Sequence, residues 1–158
     1  MRPFTSTLVP PSFLEMDGLM SELEKGMEMS LLLNDADESS AGKAVAAALY
    51  HLRSGGRRIR ARLAIHASLS LGLSSADAFA LASTVELLHN ASLVHDDLQD
   101  DSLLRHEVPT VGVVYGTNIA ICTGDLLVSA AYASLATFSN TKLLAKLKRD
   151  GHKVLIFS

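Results

Sequence analysis

The 158-residue chain has no tryptophan, one cysteine, four prolines and only 5% aromatic residues. A single cysteine, Cys122, excludes an internal disulfide and fits a reducing compartment. Its neighbours Ile119, Ala120 and Ile121 make it read as a buried structural thiol. Excess charge is missing too. A formal net charge of −3 provides no general attraction to nucleic acid or to an anionic membrane. No uninterrupted apolar run reaches bilayer-spanning length. The best candidate, residues 119–136, carries Asp125 near its middle and reads as a buried core helix. Arg2-Pro3 and Pro10-Pro11 argue against a secretory leader. The expectation is a soluble, cytoplasmic chain with no transmembrane segment and no nucleic-acid partner.

Alanine and leucine dominate the 48% hydrophobic content, a bias that favours helices packed through small side chains. Ser12 and Glu15 have the spacing of a capping box. The helix they open runs to about residue 33, with Phe13, Met16, Leu19, Met20, Leu23 and Met27 as its apolar stripe. A second helix is expected over 41–53, broken by Ser54-Gly55-Gly56, and a third over 57–71, stopped by Gly72. Ser74 or Ser75 caps a long fourth helix carrying Phe79, Leu81, Val85, Leu88 and Ser92. Pro109 and Gly112 punctuate the following loop, and Thr117 or Asn118 caps a fifth helix over 119–138. No strand is expected before residue 150. The reading is all-α. Residues 141–149 read as a basic helix, and Val154-Leu155-Ile156-Phe157 behind Asp150-Gly151 as the start of a buried strand.

Against this background stands His95-Asp96-Asp97-Leu98-Gln99-Asp100-Asp101. Residues four apart share a helix face, so Asp96 lies above Asp100 and Asp97 above Asp101. Like charges so placed repel. Either the cluster is a solvated helix end, or a cation neutralises it. Hard oxygen donors suit Mg²⁺, which keeps several waters and is completed by substrate phosphates. His89, seven residues before Asp96, falls on nearly the same face and reads as a phosphate donor rather than a metal ligand. The bland alternative is a satisfied structural histidine.

Gly55-Gly56-Arg57-Arg58-Ile59-Arg60 forms the second group. Two glycines let backbone approach an anion, and the helix beyond them points N–H groups toward it. Arg57 and Arg60 share a face and can fork one diphosphate. Arg105 adds a further cation on the far side of the aspartates. A nucleic-acid patch would be larger and interleaved with aromatics.

These segments, with Val85 to Asp100, Pro109-Thr110 and Gly124-Asp125 following in order, resemble the trans-type isoprenyl diphosphate synthases, the polyprenyl synthetase family. The resemblance covers roughly residues 10–138. It divides the chain into residues 1–140, the N-terminal part of the family domain, and a tail over 141–158 that does not align. It implies an all-α bundle around a central cavity and condensation of an allylic diphosphate with isopentenyl diphosphate to a polyprenyl diphosphate. Asp96, Asp97 and Asp100 match the first aspartate-rich motif, which holds Mg²⁺. Gly56, Arg57, Arg60 and His89 match the isopentenyl diphosphate site, where Lys is usual at Arg57. Arg105 matches the first of an arginine pair whose second position is His106 here. The growing chain would pass Ala91 and Ser92, small residues that imply products longer than fifteen carbons. A second aspartate-rich motif, expected a hundred or more residues downstream, is not encoded. The sequence therefore reads as an N-terminal half, inactive alone and acting as a homo-oligomer or with a synthase. The alternative is a non-catalytic or regulatory helical subunit of a hetero-oligomeric synthase.

Overall fold

The computed structural model describes residues 13–32 and 40–139. Within them run α1 (Phe13–Leu32), α2 (Ser40–Arg53), α3 (Ile59–Ser70), α4 (Ser75–Gln99), β1 (Leu104–Arg105), β2 (Val108–Pro109), α5 (Val111–Tyr115) and α6 (Thr117–Ala136). The expected all-α class holds. Helix α4 is central, packed against α6 on one flank and α3 on another, with α2 across α6 and α1 closing the bundle. Met16, Met20, Leu23, Met27 and Leu31 form the buried stripe of α1, at the spacing the sequence shows.

Helix ends follow local chemistry. The Ser74 hydroxyl accepts the Asp77 N–H at 3.1 Å, an N-cap. Asp77 Oδ1 in turn accepts the Ser139 N–H at 2.7 Å, fastening the end of α6 to the start of α4. Gly72, at φ 78°, terminates α3: its N–H reaches the Leu69 carbonyl and that of Leu73 reaches Ser68, a Schellman motif.

Three expectations are corrected, after the inner face of α4 is defined. Val85 and Leu88 face outward, 41% and 38% exposed, while Ala80, Thr84, Leu87, Ala91 and Val94 form an inner face of α4. Small residues let neighbouring helices approach closely, so the alanine stripe won over the larger apolar one. Ala91 is therefore buried and only Ser92 of that pair is exposed. Helix α6 is a core helix along one face only: Ala120, Thr123, Leu127 and Ala131 are buried, whereas Ile121, Tyr132 and Cys122 are exposed. By length and composition α6 could cross a membrane, yet it packs against α4, α2 and α5. Finally, a hairpin precedes residue 150. Leu104 pairs with Pro109 and Arg105 with Val108, around His106 and Glu107 at φ 50° and 66°, the left-handed pair of a tight hairpin turn. Strands two residues long leave no alternation to read. The basic helix and buried strand expected after residue 140 lie outside the described residues.

Candidate active site

The two glycines form the site's first wall. Gly55 and Gly56 sit at φ 109° and 128°, where a Cβ is strained, and turn the chain out of α2. Arg58, expected inside the third helix, is instead its N-cap in the left-handed conformation, φ 48° and ψ 37°, so α3 begins two residues later than expected. The turn exposes Arg57 and Arg60 and buries Arg58.

Helix α4 supplies the second wall. His89 Nε2 lies 3.0 Å from Arg60 Nη1. A guanidinium only donates, so Nε2 accepts and Nδ1 carries the proton of a neutral ring. Burial lowers the His89 pKa, and the Arg60 charge lowers it further against the opposing carboxylate of Glu86. Together Gly55, Gly56, Arg57, Arg60, His89 and His106 line a cleft of about 600 Å³. The proposed isopentenyl diphosphate residues are thus gathered in one place, with His106 brought in by the hairpin turn.

Asp96 and Asp100 follow on the same side of α4. His89, Asp96 and Asp100 fall within roughly 40° around the axis at 100° per residue. Asp96 and Asp100 are exposed. Asp100 is the C-cap, its N–H on the Asp96 carbonyl at 2.9 Å. Asp101 does not continue the helix above Asp97. It turns left-handed at φ 50°, and the Ser102 N–H returns to the Asp97 carbonyl at 2.9 Å, closing α4 with a Schellman motif in which Asp replaces Gly.

Asp97 and Arg105 leave this surface. Asp97 is buried and takes both Arg105 Nε and Nη2 at 2.8–3.1 Å. The loop around them is tied down. Thr110 Oγ1 donates to the Ser102 carbonyl at 2.8 Å, and the Tyr50 hydroxyl to that of Pro109 at 2.8 Å. Behind the pair lies buried His51, whose pKa is lowered to about 4. Desolvation is the main cause, with Asp97 opposing and Arg105 adding to it.

The group of three aspartates therefore divides. No cluster of three or more metal-ligating side chains occurs among the described residues. Two exposed carboxylates one turn apart remain. That donor set fits Mg²⁺, which takes one or two carboxylates and completes its shell with water and phosphate oxygens.

Sequence reasoning missed Glu86, Asn90 and Arg58. Glu86 Oε2 accepts the Ala61 N–H at 3.2 Å, occupying one amide of the α3 N-terminus, and Asn90 Nδ2 donates to Glu86 Oε1 at 3.3 Å. A lone carboxylate among the apolar residues 85–88 was the available signal. Gly124 has a simpler role: a Cβ there would overlap the His95 ring, so α4 and α6 need it bare.

A family model, polyprenyl synthetase, matches residues 43–154. The chain belongs to that family. The matched stretch begins within α2, takes in α3 through α6 and runs past residue 140. The short chain isoprenyl diphosphate synthase of Methanothermobacter thermautotrophicus is 36% identical over 93 residues, 59% of this chain and 29% of that protein. The chloroplastic heterodimeric geranylgeranyl pyrophosphate synthase large subunit 1 of Arabidopsis thaliana is 36% identical over 101 residues, 63% and 27% of the two chains. A solved geranylgeranyl pyrophosphate synthetase from the archaeon Geoglobus acetivorans superposes at TM-score 0.69 with 28% identity, over 85% of this chain and 44% of that one. The chain spans less than a third of the length of these curated relatives.

Proposed function

We propose that this chain forms one wall of a prenyl transferase site in which an allylic diphosphate condenses with isopentenyl diphosphate to a polyprenyl diphosphate. The observation that carries the reading is the common side of α4. The cleft of Arg57, Arg60 and His89 lies on the side of α4 that carries Asp96 and Asp100 two and three turns further on, so two diphosphates can lie along one face with opposite electrostatic anchors.

Each residue then has a defined task. Arg57 and Arg60 hold the isopentenyl diphosphate by charge-assisted hydrogen bonds, and His89 contributes Nδ1–H. Asp96 and Asp100 would hold Mg²⁺, which neutralises the leaving diphosphate as positive charge develops on the allylic carbon. No protein nucleophile is required. The isopentenyl double bond attacks the allylic carbon as its C–O bond to diphosphate breaks, and the resulting cation loses a C2 proton, for which the departed diphosphate is the available base; the protein supplies position and electrostatic stabilisation. Ser92, on the open side of α4 one turn before Asp96, faces the path of the growing chain, in keeping with products beyond fifteen carbons.

Outward Val85 and Leu88 on α4, and Ile121 and Tyr132 on α6, leave apolar surface for further protein to cover. That supports homo-oligomers, or a hetero-oligomer of the kind named for the Arabidopsis thaliana relative, in which the chain could also act as a regulatory subunit. A cytoplasmic location is part of the proposal. The 158 residues alone should not turn over. One wall's share of charge stabilisation is worth several kcal/mol, or about a thousandfold or more in rate. The test is incorporation of radiolabelled isopentenyl diphosphate by the sized chain, alone and mixed with a full-length synthase. Expected are oligomers and no product from the chain alone; a monomer with ordinary turnover would refute the division of the site.

A further inference from the structure

Arg58 stands in the middle of the cationic turn, at the wall of the cleft, yet three of its five N–H groups are turned to other helices. Its side chain is 8% exposed. Nε donates to Glu24 Oε1 of α1 at 3.1 Å, Nη1 to Glu86 Oε1 of α4 at 3.5 Å, and Nη2 to the Leu52 carbonyl of α2. One guanidinium thus joins three helices at the point where the chain enters a fourth. A left-handed arginine costs on the order of 1 kcal/mol, and such a conformation persists only where its surroundings over-determine it.

Glu86 extends the lock. While pairing with Arg58 through Oε1, it receives the Ala61 N–H on Oε2. The first turn of α3, which carries Arg60, is therefore fixed to α4 one turn before His89. The Arg60–His89 contact at 3.0 Å is made between two exposed or half-exposed side chains, so something beneath must set its geometry.

We infer that Arg58 is a positioning residue: through Glu24, Leu52 and Glu86 it fixes the Gly55–Arg60 turn so that Arg60 meets His89 across the cleft. The inference rests on the proposed function only for its consequence, that diphosphate affinity depends on a residue whose hydrogen bonds run to α1, α2 and α4.

The test exploits the charges around His89, namely Arg60, Glu86, Arg105 and Arg58. The full chain is titrated by NMR of the His89 imidazole, ligand-free, as wild type, Arg58→Lys and Arg58→Met. Lysine keeps the charge but lacks the planar fork that spans acceptors on three helices, so it isolates positioning from the loss of a cation. Expected in Arg58→Lys is a His89 titration moved to higher pH as Arg60 leaves the ring. Expected in Arg58→Met is the same direction with a larger shift. Calorimetry with inorganic diphosphate should show affinity falling about tenfold or more in Arg58→Met, the loss of one charge-assisted hydrogen bond. If Arg58→Met does not fold, Arg58→Lys decides alone. A His89 titration unchanged in a folded Arg58→Lys overturns the inference, whatever happens to stability. A wild-type chain that binds no diphosphate refutes the anion-site reading instead, while the ligand-free titration still decides the role of Arg58.

Discussion

Arg105 sets the edge of its guanidinium against the buried carboxylate of Asp97, Nε 2.9 Å from Oδ2 and Nη2 2.8 Å from Oδ1. The middle aspartate of the acidic run is thereby an anchor between α4 and the hairpin. Removing Arg105 strands a buried charge, which costs more than the pair itself contributes. Because Arg105 is partly exposed, we expect Arg105→Ala to lower the free energy of unfolding by about 2–3 kcal/mol. The double variant Arg105→Ala with Asp97→Asn should recover much of the loss. Urea titration measures both, and a single variant as stable as wild type would show the pair to be ornamental.

His51 makes stability depend on pH. Its pKa falls from the ordinary 6.5 to about 4 in the fold, so between those values the unfolded chain binds the extra proton. Stability is then full above pH 6.5 and is lost as pH falls toward 4. The loss amounts to roughly 3 kcal/mol in total. His51→Gln should flatten this part of the stability profile. An unchanged slope between pH 6.5 and 4 in that variant would place the titration elsewhere.

Two glycines should respond to the same substitution with opposite sign. Gly26 in α1 has open space around its Cβ position, so Gly26→Ala gains helix propensity, about 0.5–1 kcal/mol. In Gly124→Ala the same gain is outweighed by overlap with His95, for a net loss of about 1–2 kcal/mol. Paired melting curves check this directly, and equal shifts would contradict the close α4–α6 approach.

Much of this site was legible because it is local. The seven-residue spacing of His89 and Asp96 is a fact of helical geometry, and α4 preserves it; Arg57 and Arg60 meet at the cleft through the turn rather than on one helix face, because α3 starts only after left-handed Arg58. What escaped reading depends on which residues meet across the bundle. Nothing in the basic run marks Arg58 as the buried member; only Glu24, Leu52 and Glu86, contributed by three helices, make it so. Asp97 looked equivalent to Asp96 until the hairpin brought Arg105 to it. Val85 and Leu88 pointed outward because α3 and α6 chose the alanine faces of α4. Cys122 followed the open face of α6, which its apolar neighbours do not reveal.

The central claim, a metal-dependent diphosphate site on the exposed side of α4, is tested most directly by calorimetry of geranyl diphosphate with and without Mg²⁺. Wild type is compared with Asp96→Ala. Asp96 is exposed near the helix C-terminus, where a negative charge is unfavourable, so its removal should leave thermal stability unchanged or slightly raised. The account predicts binding that requires Mg²⁺ and is lost in Asp96→Ala without loss of fold. Equal binding in chelator, or undiminished Mg²⁺-dependent binding by Asp96→Ala, would contradict it.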